Sequence, residues 1–166
     1  TKLTVLGLSF TAASTFKAIN LNQASSSTTY DDFEAEDCTF TMTDTYGIYC
    51  TGTREPRITR CTFFGTNGGS GIQFSQSPSP FVHLCLFIGR TTGGTAIGYP
   101  GTGTSYDAGL VVRDCEIMGW STGLDVTATD VLIVDGCTID YNTSVNFRMT
   151  NQDRALIQNN YIASST

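Results

Sequence analysis

Five cysteines return in the same short apolar frame, for example in RITRCTFFG, FVHLCLFIG and LVVRDCEIMG, at intervals of 22 to 30 residues. Thiols at regular spacing suggest a metal site, disulfides or a buried column. Zinc sites usually draw on paired ligands such as Cys-x-x-Cys, and no two cysteines here are that close. Disulfides between successive copies stay open, although parallel Cβ vectors do not converge to the separation they need. We therefore predict a ladder of buried, reduced thiols. Its members are Cys38, Cys61, Cys85, Cys115 and Cys137, with Asn160 in the equivalent position of LIQNNYI.

Carboxylates are the groups that would give this chain catalytic chemistry. Glycoside hydrolysis uses two of them, about 5 Å apart in retaining enzymes and about 6.5–9.5 Å apart in inverting ones. Asp125 lies in a short strand, and Asp107 lies in the longest insertion, GYPGTGTSYDAG. These two are the weak catalytic candidates, because no second acid accompanies Asp125 on its strand. His83 is the sole histidine, and we interpret it as part of a structural charge ladder with Arg113 and Asp135.

The residues around each cysteine predict the elements that position these groups. Apolar residues stand three positions before and two positions after the cysteine, and a second patch follows as GIYC, GIQF, GTAI, GLDV and SVNF. Alternation of this kind is typical of short strands. One such repeat is too small to bury its apolar face, so copies must stack as a solenoid, with parallel strands about 4.8 Å apart. We predict an all-β parallel solenoid of about seven rungs.

Composition narrows the domain organisation and the function classes. The chain has 166 residues, a formal net charge of −6 and nine scattered basic residues, so a nucleic-acid partner is not expected. No apolar run is long enough to span a bilayer, and no metal or cofactor is predicted. We predict a single domain over 1–166, a segment of a longer chain, with a degenerate first rung and loop in 1–32 and regular rungs in 33–163. The cysteines do not decide whether the protein resides in an oxidising or a reducing compartment.

The frames I-x-x-C-x-F and G-I-x-F resemble the right-handed parallel β-helix of the pectin-lyase-like superfamily, across residues 33 to 163. In that family an asparagine often occupies the inner turn position and stacks into a ladder. Here Asn160 keeps that residue, while five rungs carry cysteine instead. The chain is most similar to a β-helix segment of a bacteriophage tailspike or tail appendage. That resemblance implies a right-handed winding, a homotrimer, and bacterial surface polysaccharide as the partner.

Two outward surfaces follow from the predicted columns. An apolar stripe, predicted to be the oligomer interface, consists of Phe81, Val111, Ile133 and Leu156. The strand of the second patch gives an outward set of Tyr49, Gln73, Ala96, Asp125 and Asn146, without a basic residue. The predicted carbohydrate-binding residues are Tyr49, Gln73, Tyr99, Tyr106, Trp120, Asp125 and Asn146. Trp120 is in register with Arg90, and their contact is either a cation–π pair or one wall of a saccharide subsite.

We expect a tailspike-type protein that binds bacterial cell-surface polysaccharide, and in one version of this hypothesis also cleaves it. The protein would be located in the virion tail or outside the cell. The first alternative is a stand-alone polysaccharide lyase or glycoside hydrolase. A lyase of the resembling kind uses clustered aspartates and a basic residue, which the outward set lacks. The second alternative is a structural spacer rod without a ligand.

Overall fold

The computed structural model describes residues 2–13, 15–22, 32–90, 93–100, 109–127 and 129–163. Within them the chain forms β-strands without a helix, and every strand pair is parallel. The all-β parallel solenoid predicted from the repeat is therefore confirmed. Each complete turn contributes one strand to each of three sheets.

Strands recur in the three sheets at every third place along the chain. Sheet 1 consists of β1 (Lys2–Leu6), β4 (Asp32–Glu36), β7 (Arg57–Thr59), β10 (Phe81–His83), β13 (Leu110–Arg113), β16 (Val131–Asp135) and β19 (Arg154–Gln158). Sheet 2 consists of β2 (Ser9–Ala13), β5 (Thr39–Thr43), β8 (Thr62–Thr66), β11 (Leu86–Gly89), β14 (Glu116–Met118), β17 (Thr138–Asp140) and β20 (Tyr161–Ile162). Sheet 3 consists of β3 (Ile19–Asn22), β6 (Tyr46–Thr51), β9 (Ser70–Ser75), β12 (Thr95–Pro100), β15 (Thr122–Thr127) and β18 (Val145–Thr150).

The number of turns differs slightly from the prediction. The solenoid has about five turns with a closed interior, from β4 to β18, rather than about seven. The first turn and the partial last turn each have a neighbour on one side only, so many of their side chains stay exposed. A right-handed winding is the hand that about 98% of parallel crossovers adopt, and for this chain it stays a prediction.

A left-handed backbone conformation bends the chain at the corner between sheets 1 and 2. The residue before the ladder position has a positive φ in successive turns, with 51° at Arg60, 53° at Leu84 and 50° at Asp114. This conformation costs about 1–2 kcal/mol for residues other than glycine. The bend turns each ladder side chain inward and directs the backbone amide at the next turn. Leu84 N–H, for example, donates to the carbonyl of Arg113 at 3.1 Å, and Arg60 N–H donates to that of His83 at 3.0 Å.

The core is built from columns of identical or similar side chains. In sheet 2, Phe10, Phe40, Phe63 and Phe87 stack with centroid distances of 4.7–5.0 Å and interplanar angles of 4–7°. Strand register continues this column through Ile117, Ile139 and Ile162. The hydrophobic effect therefore stabilises the contacts between turns, because no single turn has a core of its own.

Candidate binding surface

The ladder cysteines lie inside the first corner. All five are 1–2% exposed and carry free thiols, as does Cys50, which lies in β6. The Cys85 thiol donates to the carbonyls of His83 at 3.3 Å and Ile58 at 3.5 Å, and the other ladder thiols repeat this pattern. Asn160 continues the column with an amide that donates to the carbonyl of Val134 at 2.8 Å. The column thus satisfies backbone carbonyls between turns.

The ladder thiols influence one another electrostatically. Hydrogen bonds with neighbouring thiols, together with burial, raise the pKa of Cys61 and of Cys115, whereas hydrogen bonds with the same neighbours lower the pKa of Cys85 and of Cys137. Burial raises the pKa of Cys50 to about 12. Since every ladder thiol is only 1–2% exposed, none of them is accessible to a reagent or a metal ion in the solvent.

Replacing one ladder thiol tests this structural role. Cys85→Asn is expected to change the free energy of unfolding by about 1 kcal/mol or less, because an amide can make the contacts that Asn160 makes further along the same column. Cys85→Leu is expected to cost about 1–3 kcal/mol, because a larger, branched side chain overpacks the corner. Urea unfolding of both variants measures the difference. Equal costs for the two substitutions would contradict a hydrogen-bonding ladder.

The outward face of sheet 3 carries a polar column that runs along the solenoid. Parallel register places Asn20, Tyr49, Gln73, Gly98, Asp125 and Arg148 in line on successive strands. Tyr49, Gln73 and Asp125 are half-buried in the face, whereas Arg148 is exposed. Hydroxyl-bearing residues flank this column, among them Thr51, Ser75, Thr127 and Thr150. We call this surface the sheet 3 face.

The register corrects the predicted outward set at two positions. Ala96 is fully buried and Asn146 is 7% exposed, and Gly98 and Arg148 take their outward places. The sequence frames began these strands at Gly94 and Ser144, but the register aligns Ala96 with Gly71 and Asn146 with Gly123, two residues further along. The outward position therefore moves by two residues, from Ala96 to Gly98 and from Asn146 to Arg148. The expectation that this face lacks a basic residue is therefore wrong.

Asp125 and Arg148 form a two-pronged ion pair on the sheet 3 face. Arg148 Nε donates to Asp125 Oδ1 at 2.8 Å, and the second guanidinium nitrogen bonds to Oδ2. The hydrogen bonds with Asp125 raise the pKa of Arg148 above its usual range. Asp125 is also the sole acid in the six strands of sheet 3. The paired carboxylate thus presents a fixed, planar hydrogen-bonding group on the sheet 3 face.

A cation and two tyrosines meet at the other end of the face. Lys17 Nζ lies 3.3 Å from the ring centroid of Tyr49 and 5.9 Å from that of Tyr46. The two rings contact edge to face, with centroids 5.4 Å apart. A cation over an aromatic face is attracted by the ring quadrupole. This end therefore combines positive charge with aromatic surface, and Lys17 and Tyr46 were not predicted from the sequence.

Several predicted carbohydrate contacts lie away from this surface. Trp120 and Tyr99 are fully buried, and the Tyr99 hydroxyl donates to the carbonyl of Ser77 at 3.0 Å. The Trp120 indole packs over Gly65, and the Trp120 backbone amide donates to the side chain of Asn142. Burial removes Trp120, Tyr99 and Asn146 from direct contact with a polymer. Tyr106 and Asp107 lie outside the described residues.

The apolar stripe lies on the outward face of sheet 1. Register aligns Phe81, Val111, Ile133 and Leu156 on four successive strands, and Arg57 precedes them in the same column. The first three are half-buried by their neighbours, and Leu156 is 47% exposed. The column therefore exists as a continuous surface, and its role as an interface stays a prediction.

Ion pairs occupy the first corner outside the ladder. Arg60 bonds to Glu36 and, at 2.8 Å, to Asp37, and the hydrogen bond from Arg60 lowers the pKa of Asp37. His83 Nε2 lies 3.2 Å from Asp114 Oδ2. Exposed pairs of this kind contribute little to stability, because solvent screens their charges. Among the described residues, no group of three or more His, Cys, Asp or Glu side chains is placed to hold a metal ion.

Together, these features define the class: a parallel β-solenoid with a polar face on one side and an apolar stripe on another. The comparisons add no narrower identity, because no family model, curated protein or solved structure matches the chain. The resemblance to pectin-lyase-like β-helices thus depends on the repeat and the fold alone. The described part of the chain contains no helix long and apolar enough to cross a membrane.

Proposed function

We propose that this chain is a polysaccharide-binding segment of a bacteriophage tailspike or tail appendage, and that bacterial surface polysaccharide lies along the sheet 3 face. The observation that carries the proposal is the polar column from Asn20 to Arg148. A virion-tail or extracellular location follows from this role.

The dimensions and chemistry of the face suit an extended polar polymer. Six strands at about 4.8 Å give a wall about 24 Å long, parallel to the solenoid axis. The wall offers amide, hydroxyl, carboxylate and guanidinium groups, which hydrogen-bond to the hydroxyls of a sugar. Because Gly98 has no side chain, the Gln73 amide lies over its Cα, with Oε1 2.6 Å from where a Cβ would be. Lys17 adds a positive charge beside Tyr49, so a polymer with acidic sugars is favoured.

The contacts favour binding over cleavage. The two-carboxylate mechanism needs a second acid near the first, and Asp125 is paired with Arg148 on a face whose strands carry no other acid. The stand-alone lyase or hydrolase remains the alternative, and Arg148 supplies the basic residue that the sequence frames had not placed there. New reducing ends or unsaturated products from a polysaccharide substrate would favour that alternative.

We also propose that the stripe from Phe81 to Leu156 is the contact of a homotrimer. Contiguous apolar surface on a soluble chain often marks an interface. In such a trimer the three solenoids pack side by side, and the sheet 3 faces remain open to solvent. At low protein concentration, we expect the protein to have the mass of three chains. Ile133→Glu is expected to reduce this mass to that of one chain.

Titration of acidic and neutral capsular polysaccharides into the protein tests the binding face. Tyr49→Ala is expected to weaken binding about tenfold, because an aromatic contact contributes roughly 0.5–1.5 kcal/mol beyond its buried area. Arg148→Gln is expected to weaken binding to acidic polymers more than to neutral ones.

Tyr161→Ala is the matched control, since this tyrosine is 60% exposed and belongs to sheet 2. Equal losses for Tyr49→Ala and Tyr161→Ala would place the binding surface elsewhere. Absence of binding to every polysaccharide would favour the spacer rod.

A further inference from the structure

The outward face of sheet 2 carries an apolar patch in the middle of the solenoid. Register aligns Phe64, Ile88 and Met118 on three successive strands, and Leu86 lies two residues before Ile88 on the same face. All four side chains are half-buried, and each lies in a turn with a neighbour above and below. We call these four residues the sheet 2 patch. Neither the polar sheet 3 face nor the apolar stripe of sheet 1 includes them.

A notch with a volume of about 330 Å³ lies between this patch and the first corner. Leu84 and Leu86 line it in one turn, and Asp114 and Glu116 line it in the next. The Asp114 carboxylate occupies the space that a Cβ of Gly136 would fill in the following turn. Two carboxylates beside aliphatic side chains suit an arginine, because its stem packs on apolar surface while its guanidinium pairs with the acids.

Arg113 lies on the sheet 1 side of the same turn as these carboxylates. Its side chain is 45% exposed, and its ion pair with Asp135 is long, with 3.9 Å between Nε and Oδ2. Arg113 follows Val111 of the apolar stripe by two residues, so both side chains point outward from sheet 1. The stripe thus has a positive charge beside it in the turn where the notch carries negative charge.

Threefold symmetry decides which surfaces can meet in a homotrimer of parallel solenoids. Each contact in a ring joins two different faces of neighbouring copies, so the stripe needs a complementary surface elsewhere on the chain. Rotation about an axis parallel to the solenoids adds no shift along them, so each turn faces the same turn of the next copy. When the first corner points towards the axis, sheet 1 faces sheet 2. Phe81 then faces Ile88, Val111 faces Met118, and Arg113 faces the notch.

The match is confined to the middle turns. The column of the sheet 2 patch continues in Thr41 before Phe64 and in Asp140 after Met118. Asp140 would face the stripe residue Ile133, which is the one unfavourable contact. At the other limit Arg57 would face the Phe64 ring, which is a favourable cation–π arrangement.

From these observations we propose that the sheet 2 patch is the second half of the trimer contact. It packs against the stripe of the neighbouring copy, and Arg113 of that copy binds in the notch beside Asp114 and Glu116. The inference rests on the homotrimer proposed above and adds the face that the stripe contacts, together with the register of the contact. Complementary charges at this position fix the register, because any shift along the axis separates them.

Exchanging the two charges tests the notch. Arg113→Glu is expected to raise the protein concentration at which half of the chains are trimeric by about tenfold or more, because a carboxylate then faces two acids. Glu116→Arg should have a similar effect, since two arginines then face each other. The double variant Arg113→Glu/Glu116→Arg should recover most of the association, as light scattering across a range of concentrations measures. A double variant that associates no better than either single variant would overturn the proposed pairing.

Cross-linking with a short bis-maleimide tests which faces meet. The native ladder thiols are 1–2% exposed and Cys50 is fully buried, so introduced surface thiols react selectively. Phe81→Cys/Ile88→Cys is expected to give a covalent trimer, because each chain offers one thiol to each neighbour. Phe64→Cys/Ile133→Cys is the matched control, since these positions lie three turns apart, about 14 Å along the axis, and should not be linked.

The outcomes separate the trimer from the pairing of its faces. A protein that has the mass of one chain at all concentrations would overturn the homotrimer itself. A trimer in which Phe81→Cys alone is cross-linked would mean that the stripe packs on itself, and it would overturn only the role of the sheet 2 patch. A trimer in which the control pair is linked as readily as the matched pair would do the same.

Discussion

Phe63→Ala is expected to lower the free energy of unfolding by about 3–5 kcal/mol. The Phe63 ring is fully buried and stacks on Phe40 at 4.8 Å and on Phe87 at 4.7 Å, so its removal leaves a cavity and deprives both neighbouring rings of a stacking partner. The cavity lies in a middle turn, where neither end of the solenoid can collapse to fill it. Urea unfolding followed by circular dichroism measures the effect.

The next residue provides the control. Phe64 is on the same strand, points outward and is half-buried, so Phe64→Ala removes an identical side chain from the opposite face. Its expected cost is less than half that of Phe63→Ala, because this ring buries less apolar area in the folded chain. Similar costs for the two variants would mean that the inside and the outside of sheet 2 are assigned incorrectly.

Trp120→Ala is expected to destabilise the chain by a similar amount, about 3–5 kcal/mol, since the indole is fully buried. The indole fits because Gly65 has no side chain: a Cβ added there would lie 2.4 Å from Trp120 Cη2. Gly65→Ala alone is therefore expected to cost about 1–3 kcal/mol through overpacking. With Trp120→Ala already present, the same glycine substitution should cost little, and the double-mutant cycle measures this coupling.

Fluorescence separates this packing role from a role in saccharide binding. Trp120 is the single tryptophan, so the native emission reports on it alone. A buried indole predicts blue-shifted emission and weak quenching by acrylamide. Strong quenching, or an emission shift on addition of polysaccharide, would contradict its burial and restore it as a binding residue.

The repeat made the fold predictable because a solenoid imposes one local rule on every turn. The residue at the ladder position must be small and must point inward, and apolar residues must stand at fixed offsets from it. Cys61, Phe63 and Ile58 together therefore indicate a rung. The end turns could not be counted reliably from this rule. Their sequences keep the frame, but Ile157 and Ile162 lack a following turn that would bury them.

The sheet 3 face was less predictable, since its register depends on which residue starts each strand. Ala96 and Asn146 occupy the position that glycine occupies in other turns. Because the frames began two residues earlier, Arg148 was not assigned to the outward set. A shift of two residues leaves the period-two alternation of a strand unchanged, so the sequence pattern alone does not reveal it. Trp120 was misassigned for a different reason: its burial depends on Gly65, which is distant in sequence, and no local pattern reveals that contact.

The central claim is that residues about one repeat apart are vertical neighbours. Nuclear Overhauser contacts between the phenylalanine rings of a selectively labelled sample test it most directly. The structure predicts contacts from Phe63 to Phe40 and to Phe87, and from Phe40 to Phe10, with no direct contact between Phe40 and Phe87. Missing contacts between Phe63 and both neighbours, or cross-strand contacts typical of antiparallel hairpins, would contradict the solenoid and every surface placed on it.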